Sequence, residues 1–174
     1  IKEAFLDHFR DRLTHNTPEK IFQLGDIFRE KLDLAQQGIL EQEFTLEEVE
    51  QALKMTDKTK APGPDGMNAG VLELLWPEMK EEIMVVFRNF YNSGTLPSGS
   101  NSSFIALIPK LPHASNPSEF RPISLMNALV KLLSKVLAIR LKSFLTNLIS
   151  HNQSAFLKGR QISDGILITS EIVS

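Results

Sequence analysis

Three groups of residues carry the polar chemistry open to this chain. Lys110 and Arg121 stand at the two ends of a strand–loop–strand pattern. Arginine can grip a dense anion such as a triphosphate with two parallel hydrogen bonds, and lysine acts on it as a point charge. The plain alternative is a solvated lysine at a strand end and an arginine paired with Glu119. Lys131, Lys135 and Lys142 recur at helical spacing on one stripe. That stripe could follow a nucleic-acid backbone, or it is a solvated helix face. Gln153, Phe156, Gly159 and Arg160 form the third group. There an aromatic ring could pack on a base or sugar, a glycine admits close backbone approach, and an arginine meets a phosphate. Equally, Phe156 could plug a core and Gly159 could break the chain direction.

Charge is distributed unevenly. Residues 1–100 hold 11 Lys and Arg against 18 Asp and Glu, whereas residues 101–174 hold 8 against 3. A basic half joined to an acidic half suggests a polyanionic partner for the basic half, and chance variation in surface charge is the competing explanation. Other chemistries have little support. There is no cysteine, hence no disulfide framework and no cysteine-ligated zinc. His8, His15, His113 and His151 are scattered without metal-ligand spacing. Two-metal phosphoryl transfer needs carboxylates that clamp ions about 3.5–4 Å apart. Asp65 and Asp164 lie in separate segments and no two aspartates are adjacent, so neither a catalytic residue nor a metal site is expected here. The Lys60–Gly66 segment lacks the Gly-Lys-Ser/Thr ending of a phosphate-cradling loop. Its prolines and glycines predict a rigid turn in which Asp65 accepts from nearby backbone amides.

The elements that must position these groups follow from the apolar pattern. At 174 residues, 42% hydrophobic and 23% charged, the chain has enough apolar material for one core. No apolar run approaches the roughly 20 residues of a membrane span, and the lack of cysteine fits an intracellular protein. Both ends, Ile1 and the helical-looking run at Ser174, read as cuts. Helices are predicted over 1–16 and from Pro18 to about Gly38. Another starts at Thr45, with Glu48 completing a capping box and Phe44 and Val49 a hydrophobic staple. Further helices are expected over 71–76, 78–91 and 127–148, and from Ile162 onward. Residues 104–108 and 122–125 read as two antiparallel strands. The helix over 127–148 reads as largely buried with one basic seam. Arg140 falls inside its apolar arc, where an unpaired charge is costly, so it needs a partner. Trp76 reads as a core anchor. The fold class is thus α+β, predominantly helical, with a small antiparallel hairpin.

Several ordered blocks carry a family resemblance. Residues 60–66 read K-A-P-G-P-D-G, 104–110 read F-I-A-L-I-P-K, and 120–125 read F-R-P-I-S-L, followed by Asn127. Residues 131–142 read K-L-L-S-K-V-L-A-I-R-L-K, and 153–161 read Q-S-A-F-L-K-G-R-Q, followed by Ile162 and Asp164. Trp76 and Leu96-Pro97 fit the same pattern. From about Phe44 to Glu171 the chain resembles the reverse transcriptases of plant-type LINE (non-LTR) retrotransposons, in the family's order and spacing.

That resemblance implies a right-hand polymerase. Residues 44–174 would be its fingers and the start of its palm, and residues 1–43 a helical amino-terminal extension. It assigns Lys110 and Arg121 to the incoming nucleotide, and Gln153, Phe156, Gly159 and Arg160 to the template. The metal-binding aspartates of the family come later, so this stretch would be an inactive fragment of an RNA-directed DNA polymerase. Mg²⁺ would serve the complete enzyme and not bind here. The implied partners are an RNA template, a DNA primer, deoxynucleoside triphosphates and the palm and thumb of the same polyprotein, with no membrane. Nuclear action follows from the resemblance alone. The competing readings are a non-catalytic module binding RNA or RNA–DNA hybrid, from a decayed element, and a helical interaction domain with no nucleic-acid contact.

Overall fold

The computed structural model describes residues 2–14 and 31–149, together with Gly159, Gln161, Ser163 and Ser170. Helices α1 (Lys2–Thr14), α2 (Leu34–Glu41), α3 (Leu46–Lys54), α4 (Ala69–Leu74) and α5 (Trp76–Ser93) come first. Strand β1 (Ser103–Pro109), a 3-10 turn (Pro117–Glu119) and strand β2 (Phe120–Met126) follow, and α6 (Ala128–Leu148) comes last. None of the described helices is long and apolar enough to cross a membrane.

Local chemistry sets most of these boundaries. Asp33 and Gln36 form a reciprocal capping box at the start of α2, and α2 runs through Gly38, where the sequence pattern had it fading. Thr45 Oγ1 accepts from Glu48 N at 3.2 Å, but the expected box is only half made, because the Glu48 carboxylate turns to Arg140. Asn68 caps α4 through Val71 N at 3.0 Å. Leu75 separates α4 from α5, and Pro77 sits in the first turn of α5, where its missing N–H has no intrahelical partner to lose. Gly94, at φ 66°, ends α5 in a left-handed conformation that few other residues adopt without strain.

The core joins α3, α4, α5 and α6 through Val49, Leu53, Leu72, Phe87, Leu132 and Val136. Phe44 enters this core just before α3, edge-on to Phe87 at 5.2 Å between ring centroids. Trp76 packs against the same core, with its indole N–H held by Glu50 Oε1 at 2.9 Å. The apolar arc expected to be buried on α6 is only partly covered. Lys131 and Lys135 are half-buried, and the exposed side includes Leu137 and Leu141 beside Lys142. Periodicity gives a residue's direction around the helix, but not which other segment covers it.

The hairpin is antiparallel, with Ile108 opposite Arg121 and Leu107 opposite Pro122. Lys110 N donates to Glu119 O at 2.8 Å. Bonded pairs alternate along such a ladder, so Pro109 and Pro122 fall on positions whose nitrogens face away from the partner strand. Proline has no N–H to give and fits there. Phe120 also meets Phe5 of α1, edge-on at 5.2 Å.

Candidate nucleotide and nucleic-acid interface

The hairpin brings Lys110 and Arg121 to one end of one face. The paired register ends at Pro109 opposite Phe120, and just beyond it Lys110 N donates to Glu119 O; carried one step further, that register makes Lys110 the diagonal neighbour of Arg121. Such neighbours are roughly 7–8 Å apart, within reach of one polyanion for two long side chains. Both residues are exposed. Lys110 Nζ gives one hydrogen bond, to Ser118 O at 2.6 Å, which leaves an ammonium two further donors.

The alternative pairing of Arg121 with Glu119 does not form. The Glu119 carboxylate is turned into the loop, where Oε2 accepts from Ser115 N at 2.7 Å and from Asn116 N at 3.0 Å. The backbone amides of Asn116 and then Ser115 hold this carboxyl below its ordinary range. Among the described residues, Arg121 has no ion pair and no side-chain hydrogen bond. An exposed guanidinium in that state retains its full fork of donors.

The three α6 lysines occupy different settings. Lys131 Nζ donates to Ala61 O at 2.9 Å, across to the proline- and glycine-rich loop. Lys135 is half-buried and Lys142 exposed. Of the third group, Gly159 has a positive φ of 83° with open space where a side chain would begin. Gln153, Phe156 and Arg160 lie outside the described residues, so the expected template cluster has no geometry beyond that glycine.

Arg140 has the partner its place in the apolar arc required. Its Nε and Nη2 donate to the Glu48 carboxylate at 2.5 and 2.7 Å. Its remaining N–H groups meet the carbonyls of Leu40, Gln42 and Glu43. The guanidinium carbon also lies 4.4 Å from the Phe44 ring centroid. Arg140 is therefore a buried tie between α6 and the segment leading into α3, not a ligand-facing cation. The sequence pattern signalled the need for a partner but not which one.

Two other features belong beside the hairpin. Asp65 accepts from Met67 N at 3.1 Å, as a turn aspartate should. It also accepts from Ala128 N at 2.6 Å, the first residue of α6, which the sequence reading missed. A cavity of about 310 Å³ opens between α3, the 56–69 segment, β2 and α6. Its lining is mostly apolar, including Leu53, Leu72, Leu125 and Leu132, and does not suit a polyphosphate. Asp57, on its edge, is held below the ordinary carboxylate range by the Thr59 hydroxyl and amide, with Lys60 adding to the effect. Among the described residues no group of three His, Asp or Glu side chains could hold a metal ion.

No protein-family model matches the chain. Similarity to known proteins is nevertheless extensive. The chain is 29% identical over 134 residues, 77% of its length, to the Transposon TX1 uncharacterized 149 kDa protein of Xenopus laevis. It is 28% identical over 145 residues, 82% of its length, to the retrovirus-related Pol polyprotein from the type-2 retrotransposable element R2DM of Drosophila melanogaster. It is 25% identical over 125 residues, 70% of its length, to the corresponding polyprotein of the type-1 element R1 of Bradysia coprophila. The matched stretch covers 10% of the first of these relatives and 12% of each of the other two. These similarities support reading the chain as part of a non-LTR retrotransposon protein.

Proposed function

We propose that this chain is a fingers segment, with the start of the palm, of an RNA-directed DNA polymerase from a non-LTR retrotransposon, of the plant LINE type. Lys110 and Arg121 grip the incoming deoxynucleoside triphosphate. Residues 153–160 and the α6 lysines lie along the template and its hybrid with the DNA primer. The observation that carries this reading is an arginine left unpaired at the hairpin end, near Lys110, while Glu119, two residues away in sequence, is committed to its own loop. The similarity to retrotransposon Pol polyproteins supports the same assignment. Positive charge there neutralises the triphosphate and stabilises the charge that shifts during phosphoryl transfer.

Among the described residues no three acidic or histidine side chains gather where they could hold a metal ion. The metal-holding aspartates belong, in this proposal, to sequence outside these 174 residues, and the chain is inactive by itself. The test is nucleotide incorporation on a primed RNA template with Mg²⁺. The chain alone should give none, and a polypeptide extended through a palm should give sustained synthesis. In that extended protein, Arg121→Ala should cut nucleotide kcat/KM by roughly 100-fold, the scale for losing one charged donor to the reacting group. Arg88→Ala, an exposed change on α5, should change it by less than about twofold. Equal effects of the two would refute the nucleotide assignment.

A further inference from the structure

The Lys60–Gly66 loop takes no part in gripping a nucleotide, yet it reaches the root of the hairpin from three directions. Asp65 Oδ2 closes on the first amide of α6. Asn127, the residue between β2 and α6, accepts from Asp65 N through Oδ1 at 3.1 Å and donates through Nδ2 to Ser100 O at 2.9 Å. Ser100 lies just before β1, so one side chain ties the start of β1, the end of β2 and the loop together. Asn127 makes no side-chain cap bond of its own to α6, and Asp65 instead takes the first amide of the helix from 63 residues away. The backbones are equally close. A Cβ added at Gly63 would lie 2.7 Å from Asn127 N and closer still to the Met126 carbonyl.

A clamp at the root acts through a lever. Met126 lies five residue steps from Arg121, which in a strand is roughly 17 Å. A rotation of about 5° at the root would then carry the Arg121 end by about 1.5 Å. Displacements near 1 Å suffice to cost about 100-fold in a reaction that depends on orientation.

We propose that Asp65 and Asn127 are positioning residues, which fix the angle of the β1–β2 hairpin on α6 and so determine where Lys110 and Arg121 present their charges. The first half concerns only this chain, and the second half rests on the nucleotide reading above.

The chain has no cysteine, so a single pair of spin labels can be placed cleanly at Leu111→Cys and Ala138→Cys, both exposed sites. Electron-spin distance measurements should give one narrow distribution with Asp65 present. Asp65→Ala should at least double its width in a chain that circular dichroism shows to be folded. Asp65→Asn keeps one acceptor oxygen and should fall between, and it decides the matter if the alanine variant fails to fold. An unchanged width in a folded variant would overturn the clamp. In the extended polymerase, Asp65→Ala should lower nucleotide kcat/KM at least about tenfold while template–primer affinity stays within about twofold. A matched loss in both would overturn positioning in favour of general instability. A widened Asp65→Ala distribution alongside an Arg121→Ala enzyme with normal nucleotide kinetics would instead sink only the nucleotide reading.

Discussion

Arg140 and Arg121 have the same side chain and sit 19 residues apart, but they occupy opposite kinds of site. Arg140 is 7% exposed and gives all five of its donors to Glu48 and three carbonyls. Arg121 is exposed on a two-stranded ribbon and gives its side-chain donors to nothing among the described residues. The first holds the helical core to the segment before α3, and the second is available to a ligand. Charge by itself distinguishes neither. The distinction lies in whether the surrounding chain already supplies acceptors, and Glu119 shows how it is enforced. Its carboxylate is occupied by its own loop amides, so this acid, two residues along the chain, does not neutralise Arg121.

The contrast can be broken most sharply by stability. Arg140→Ala strands the Glu48 carboxylate, 18% exposed, and three carbonyls, and should cost about 3–5 kcal/mol in urea unfolding. Arg121→Ala should stay within about 0.5 kcal/mol. Similar losses in both would erase the difference between the two sites. Next in size is Gly63→Ala. Its new methyl would press on the Met126–Asn127 backbone and should cost about 1–3 kcal/mol. Gly66→Ala makes no such contact, though at φ 70° it carries its own smaller strain. A smaller cost for Gly63→Ala than for Gly66→Ala would mean that the loop does not bear on the hairpin root.

The smallest effect is local and depends on pH. Glu119 is depressed in the folded loop, so its contribution is complete above its ordinary value and disappears as pH falls through the lowered one. Protection of the Ser115 and Asn116 amides, measured against their intrinsic exchange rates at each pH, should fall over that acid range, and Glu119→Gln should make that protection independent of pH. Constant protection in the unmodified chain would argue that the carboxylate does not secure the loop.

Much of this architecture was legible in the residues. The short apolar runs over 104–108 and 122–125 indicate the antiparallel hairpin, and Thr45 marks the start of α3. The buried position of Arg140 could be read from its place on the helix, because an apolar arc leaves a guanidinium no solvent. Its partner could not be read, since Glu48 lies 92 residues away and its spacing from Thr45 pointed to a capping role. A desolvated guanidinium outcompeted an exposed backbone amide for that carboxylate. The bond from Lys131 to Ala61 O was unreadable for a related reason, because the loop that supplies the acceptor lies far along the chain. Asp65 was read as a turn residue, and the turn bond is present, but its second oxygen reaches α6. Each shortfall is a long-range contact that local spacing does not encode.

The outward-facing prolines have a bearing on association between copies. Along the outer side of β2, Pro122 removes a donor in mid-strand and places a ring where an incoming backbone would lie. The outer side of β1 meets its proline only at the last residue, Pro109, and among the described residues no other strand pairs with Ser103, Ile105 and Leu107 before it. Strand-to-strand stacking of this ribbon, whether with a neighbouring segment or in an aggregate, is therefore directed to one rim and cannot propagate through both.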